Sequence, residues 1–258
     1  MKMADKDEQM TMTRRRFIRN SGLIAGGAAI GGGLIGALIG ANVDQQEKTE
    51  NEHQAGHNQS GNEQQNSNRA LIYFTDREDF QVLSAATERI FPEDKNGPGA
   101  IGLGVPYYID HQLAGNYGNN TREYMQGPFF PGTETQGYQS PLKRNQIFNE
   151  GIRMMKELSQ TNYKKKFDEL DGEQQDAILS QFEQGKVKLK GTDSATFFSL
   201  LRSAVLEGAY SDPVYGGNAN MEGWKMKNFP GHQASYLSQI EAKEFKKIKP
   251  QSLHAFHQ

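Results

Sequence analysis

The chain has 258 residues and not one cysteine. Disulfides, thiolate-bound zinc, iron–sulfur clusters and covalent c-type haem are therefore excluded within this chain, as is a lipid anchor attached to cysteine. The formal net charge is −2, close to zero. Because the aromatic residues do not alternate with basic ones, we expect no nucleic-acid partner.

The sequence also lacks the short motifs that mark common active sites. It has no G-x-S-x-G, no H-E-x-x-H and no phosphate-binding loop. Two stretches, 31–36 and 97–102, match the dinucleotide fingerprint G-x-G-x-x-G, but neither lies between a predicted strand and a predicted helix. His111 is predicted to be a surface or capping residue. We therefore predict no catalytic, cofactor-binding or metal-binding residue in this chain.

The N-terminus has the layout of an export signal. A basic stretch, "TRRRFIR", precedes an uncharged segment, 22–43, that contains eight glycines. Twin arginines followed by an aromatic, an aliphatic and a basic residue resemble the twin-arginine (Tat) signal. The residues that carry the pattern are Arg14, Arg15, Phe17, Ile18 and Arg19. Residues 1–43 are predicted to be a twin-arginine signal sequence or an N-terminal membrane anchor, with cleavage left open. The alternatives are a basic amphipathic terminus and an ordinary transmembrane anchor.

Composition divides the rest of the chain into three parts. Residues 44–70 are almost entirely polar and predict a disordered linker, since they cannot bury enough apolar surface to offset the entropy of ordering. Residues 71–240 predict one compact all-α domain of five or six helices with long ordered loops. Residues 241–258 form a basic C-terminal tail.

Several helix ends can be predicted from capping residues. Thr75 with Glu78 has the spacing of a capping box, Ser140 is followed by proline, and Asp171 pairs with Gln174. The strongest helical pattern is "SATFFSLLRSAVLEGAY", whose apolar stripe ends at Gly208 and predicts close packing there. The stripe consists of Phe197, Leu200, Leu201, Ala204, Val205 and Gly208.

The stretch after this helix, "SDPVYGGNANMEGWKMKNFPG", contains the only tryptophan of the chain. Gly216 and Gly217 permit positive backbone φ, prolines stiffen the two ends, and asparagines bond their own backbone, so the stretch predicts a preorganised loop. We call residues 211–231 the Trp224 loop. Trp224 is interpreted as a plug of the domain's own core, as a partner contact or as a ligand-binding residue. The candidate partner interface consists of Asp212, Pro213, Tyr215, Gly216, Gly217, Asn218, Trp224, Pro230 and Gly231.

Three blocks of the sequence resemble the gluconate 2-dehydrogenase subunit 3 family. The C-terminal block is "SAVLEGAYSDPVYGGNANMEGWKMKNFPG", the N-terminal one is "LSAATERIFPEDKNGPGAIGLGVPYYIDHQLAG", and the middle one is "FDELDGEQQDAILSQFEQG". The resemblance covers residues 74–231. It implies a small subunit of a membrane-associated, flavin-dependent dehydrogenase of sugars or sugar acids.

The resemblance also implies the partners of the chain. FAD and substrate are expected in a GMC-type dehydrogenase large subunit, often with a cytochrome subunit that takes the electrons. The small subunit is expected to support folding of the flavoprotein and to carry it through the Tat translocase. The chain itself would lie at the extracytoplasmic face of the membrane, anchored through its N-terminus or released after cleavage.

Two other functions stay open at this point. The subunit could contribute a residue, such as His232, to the catalytic site of the complex. The chain could also be a stand-alone, membrane-anchored extracytoplasmic binding protein.

Overall fold

A computed structural model describes residues 69–256, apart from residues 131, 134, 135, 138 and 245. The predicted export signal and most of the predicted linker lie outside this part, so the domain boundaries remain predictions. Between residues 69 and 256 the described chain forms α-helices, short 3-10 turns and isolated bridges, and no β-strand. The six α-helices are α1 (Arg77–Ile90), α2 (Val105–Ala114), α3 (Arg144–Tyr163), α4 (Gly172–Glu183), α5 (Ser194–Tyr210) and α6 (Glu222–Lys227). The predicted all-α domain is confirmed.

Helix α5 is the centre of the core and packs against each of α1 to α4. Its sequence is apolar over more than half of its circumference, as expected for a helix surrounded by others. The buried residues of its predicted stripe are Phe197, Leu201, Ala204, Val205 and Gly208, while Leu200 is partly buried. The apolar stripe thus fixes the position of the helix.

Aromatic rings close the gap between α3, α4 and α5. Phe197 lies edge-on to Phe148 of α3 and to Phe182 of α4, with ring centroids 5.7 and 5.4 Å apart. Gly151 makes this packing possible, because a Cβ atom at that position would overlap the Phe197 ring. Protein interiors are close-packed, so even one added carbon atom at this position would disturb the core.

The predicted close approach at Gly208 is confirmed. A Cβ atom there would lie 2.8 Å from Cδ1 of Tyr108 and 3.2 Å from Cγ1 of Val105. Glycine therefore allows α2 to lie directly against the C-terminal turn of α5. This contact brings the start of α2 next to the Trp224 loop.

The predicted helix starts are right for α4 and displaced for α1 and α3. Asp171 accepts a hydrogen bond from the Gln174 backbone nitrogen at 2.9 Å, as predicted. The cap of α1 is Asp76, whose carboxylate accepts from Glu78 N, and Thr75 does not cap the helix. Ser140 does not cap α3, which begins at Arg144.

A distant contact explains why Ser140 is not a cap. Its hydroxyl donates to the carbonyl of Gly191 at 2.8 Å and accepts from Leu142 N. The hydroxyl therefore stabilises the turn that precedes the helix, by bonding to a residue 51 positions further along the chain.

Two acidic side chains fix the periphery of the bundle. Asp110, fully buried in α2, accepts hydrogen bonds from the backbone nitrogens of Ile72, Tyr73 and Phe74. It thereby attaches the entering chain to the domain. Asp176 of α4 receives two hydrogen bonds from the Arg89 guanidinium of α1, at 2.8 and 2.7 Å. Such two-point pairs fix geometry as well as adding energy.

Candidate functional site

The Trp224 loop begins with a turn held by Asp212. The Asp212 carboxylate accepts from Val214 N at 3.1 Å and caps a 3-10 turn that opens with Pro213. The same carboxylate accepts from the Ser252 hydroxyl at 2.6 Å and from Leu253 N at 2.8 Å. Asp212 thus joins the loop to a segment 40 residues further along the chain.

Asn218 holds the middle of the loop together. Its side chain is fully buried, donates to the Ser211 carbonyl at 2.7 Å and accepts from Gly223 N at 2.8 Å. Its φ of +47° lies in the left-handed region, which asparagine tolerates better than most residues. The side-chain amide thus bonds to backbone groups on both sides of it in the loop, those of Ser211 and Gly223.

Left-handed backbone recurs along this loop. Asn220, Met221 and Asn228 have φ values of +55°, +59° and +51°. For methionine this conformation is uncommon and carries a strain that the surrounding contacts must hold. Residues in sparsely populated conformations cluster at functional sites, which supports the loop as the candidate site.

Two glycines of the loop serve different purposes, and the sequence-based prediction is wrong for one of them. Gly216 has a φ of +93°, as predicted. Gly217 is not at positive φ; it is required because a Cβ atom there would overlap the Gly208 carbonyl oxygen. Gly223 similarly leaves no room for a Cβ atom beside the Ala209 carbonyl. The loop backbone therefore lies directly on the last turn of α5.

Trp224 attaches the loop to the end of α5 through a buried side chain. Its side chain is 5% exposed, and its indole nitrogen donates to the Tyr210 carbonyl at 2.7 Å. That carbonyl belongs to the last residue of α5, where backbone oxygens lack helical partners. Phe229 packs edge-on against the indole at 5.5 Å, and the Gly231 backbone covers its six-membered ring. Burial favours the interpretation of Trp224 as a plug and leaves little indole surface for a partner.

The exposed apolar side chains of the loop start are Val214 and Tyr215, at 44% and 53%. They stand on the turn that Asp212 caps and that Gly216 ends, so their position is set by buried neighbours. Exposed tyrosine on a rigid loop is a residue type that carries binding energy at interfaces. Of the predicted interface residues, Tyr215 is thus presented outward, whereas Asn218 and Trp224 support the loop.

A polar pair lies beside this turn. The Tyr108 hydroxyl interacts with the Glu207 carboxylate. Burial, followed by the charge of Glu207, raises the pKa of Tyr108. Burial also raises the pKa of Glu207, against the hydrogen bond from Tyr108 and the charge of Arg144, which lower it. The pair keeps a carboxyl group next to the outward-facing turn.

The loop ends against the C-terminal segment. The Pro230 carbonyl accepts from Gln251 N at 3.1 Å, and the Gln251 carbonyl accepts from His232 N at 2.8 Å. Gly231, with a φ of +71°, has no room for a Cβ atom beside Gln251. Part of the predicted tail is therefore attached to the loop.

The remaining predicted residues have other positions. His111 lies with Nε2 2.9 Å from the Ala70 carbonyl, a contact that helps to hold the entering chain. The export-signal residues lie outside the described part of the chain. Within that part, no group of three or more histidine and acidic side chains could hold a metal ion. None of the helices that the structure describes is both long and apolar enough to cross a membrane.

The sequence from α1 to the end of the Trp224 loop matches the model of one protein family. Residues 77–231, from the first residue of α1 to the glycine that closes the loop, match the family described as gluconate 2-dehydrogenase subunit 3. The match covers more than half of the chain. The chain belongs to this family. No curated protein and no solved structure matches it significantly.

Membership has a direct consequence for the loop. As a subunit 3 family member, the chain is an accessory subunit of a dehydrogenase complex, so it needs a surface for another subunit. The Trp224 loop is the last block of the matched region. The role of Asp212 in joining Ser252 and Leu253 could not be predicted from the sequence, because no local pattern links residues so far apart.

Proposed function

We propose that this chain is the non-catalytic small subunit of a flavin-dependent sugar or sugar-acid dehydrogenase. In this proposal it supports maturation of the FAD-carrying catalytic subunit and carries it through the Tat pathway to the extracytoplasmic face of the membrane. The family match supports the membership of a dehydrogenase complex. The twin-arginine pattern around Arg14 and Arg15 supports the export role.

The observation that carries the proposal is the construction of the Trp224 loop. Buried groups, among them Asn218 and the Trp224 indole, hold a turn that presents Val214 and Tyr215 to solvent. A preorganised surface loses little conformational entropy when a partner binds, which favours affinity. The loop is therefore the proposed docking surface for the flavoprotein.

The substitution Tyr215→Ala tests the docking surface. We expect binding to the flavoprotein to weaken by about 2 kcal/mol, or roughly thirtyfold in Kd, as at interface hot spots. The unfolding free energy of the chain should change by less than about 0.5 kcal/mol because the side chain is half exposed. Co-purification and titration of the two subunits measure the first effect, and urea unfolding measures the second.

Tyr124→Ala is the matched control. Tyr124 is 80% exposed and lies on the long loop between α2 and α3. Its truncation should leave binding unchanged. Full binding by Tyr215→Ala would remove the basis for the docking surface.

A contribution to the partner's active site is the second candidate. His232 directly follows the Trp224 loop, and its backbone is fixed to Gln251. If its imidazole acts in the complex, His232→Gln should lower kcat while the two subunits still co-purify.

A further inference from the structure

The chain leaves the Trp224 loop at His232 and returns to it at Gln251. Both ends of the 232–250 segment are held, by the backbone bonds of Gln251 and by the bonds of Ser252 and Leu253 to the Asp212 carboxylate. The segment is thus a closed loop on the surface of the domain, and its position follows that of the Trp224 loop.

Bulky apolar side chains of this segment face solvent. Leu237 is 79% exposed, Ile240 70% and Tyr236 48%. Single exposed apolar residues are normal on protein surfaces, whereas three within five positions form a patch that indicates binding.

Lysines follow directly on the apolar residues. Lys243, Lys246, Lys247 and Lys249 are all exposed. With two glutamates in the same segment its net charge is +2, four minus two, although the whole chain carries −2. None of the ion pairs between described residues involves these four lysines.

A groove of about 880 Å³ runs between this segment and the end of the Trp224 loop. Tyr236, Ile240 and Ile248 give it apolar walls. The charged residues that line it are three lysines and one glutamate, Lys243, Lys246, Lys247 and Glu244. Hydrocarbon surface beside several ammonium groups suits an anionic amphiphile, whose phosphate pairs with lysine while its chains cover the apolar side.

We propose that the 232–250 segment binds the surface of an anionic phospholipid bilayer. It would be a second membrane contact of the chain, separate from the N-terminus. The proposal rests on the proposed membrane location, since an anchored N-terminus would keep the segment at a high local concentration near the bilayer. Bound in this way, the segment would set the orientation of the Trp224 loop, to which Asp212 and Gln251 attach it.

The absence of native cysteine provides a clean experiment. Ala242→Cys, an exposed position in the segment, is labelled with an environment-sensitive fluorophore in the full chain. The chain is reconstituted into vesicles of phosphatidylcholine alone or mixed with phosphatidylglycerol. We expect a blue shift of the emission in the anionic vesicles only, and its loss when salt is raised.

Variants separate the contributions of charge and apolar surface. Lys246→Glu with Lys247→Glu should abolish the shift, and Leu237→Ser with Ile240→Ser should reduce it. Matched controls are Lys186→Glu with Lys188→Glu, also exposed, and a label at Gln160→Cys on α3. The charge controls should keep the shift, and the α3 label should show none.

Equal emission in both kinds of vesicle would overturn the proposal. So would a shift that survives the Lys246 and Lys247 reversal, or one that appears only when the flavoprotein is added, which would make the segment a protein contact. Tyr215→Ala should keep the lipid response, so failure of the docking surface and failure of this proposal are distinguishable.

Discussion

Truncation of Trp224 to alanine is expected to lower the unfolding free energy of the domain by about 3–5 kcal/mol, the range found for buried aromatic residues. The indole is 5% exposed and fills the space between the last turn of α5 and the Gly231 backbone. Its removal would also leave the Tyr210 carbonyl without the 2.7 Å hydrogen bond that it now accepts. Loss of partner binding would follow from unfolding of the loop.

Urea unfolding followed by circular dichroism measures this effect. Fluorescence is unsuitable because Trp224 is the only tryptophan of the chain. Trp224→Phe is the matched variant: it keeps an aromatic ring but leaves the carbonyl unpaired, which costs about 1–3 kcal/mol. A Trp224→Ala chain of normal stability that no longer binds the flavoprotein would instead place the indole at the interface.

Replacement of Arg14 and Arg15 by lysine is expected to keep both this chain and the proposed flavoprotein partner in the cytoplasm. Lysine preserves the positive charge but lacks the planar guanidinium with its fixed fork of donors. A receptor that reads the twin-arginine pattern should therefore reject the variant. Cell fractionation with antibodies against the two subunits measures the distribution of each.

Arg16→Lys is the control for this experiment. Arg16 lies between Arg15 and Phe17 and is not one of the residues that carry the twin-arginine pattern, so its substitution should leave export unchanged. Normal export of the flavoprotein beside a retained small subunit would refute the carrier role. The family membership of the chain would be unaffected.

The helices could be predicted from the sequence because their apolar periodicity is strong and local. The stripe on α5 and the Asp171 cap with Gln174 needed no tertiary information. The start of α3 could not be predicted in this way, since the Ser140 hydroxyl bonds to Gly191 and not to the helix. A serine before proline looks the same in the sequence whether or not a distant carbonyl is available.

The residue types of the Trp224 loop predicted its shape, whereas its contacts with distant residues could not be predicted. Glycine, asparagine and proline indicated a shaped loop, and Gly216 is at positive φ as predicted. The reason for Gly217 lies in the Gly208 carbonyl of another element, which no local pattern reveals. The same holds for Asp212, whose carboxylate meets Ser252 and Leu253 only in the folded chain.

The central claim is that this chain serves a flavoprotein as its small subunit. Capture through a tag on this chain, from cells that produce both proteins, tests it most directly. The account predicts that the captured complex contains flavin and oxidises a sugar or sugar acid with an artificial electron acceptor, while the chain prepared alone is colourless and inactive. Flavin bound by the chain alone, or a captured sample without any flavoprotein, would contradict it.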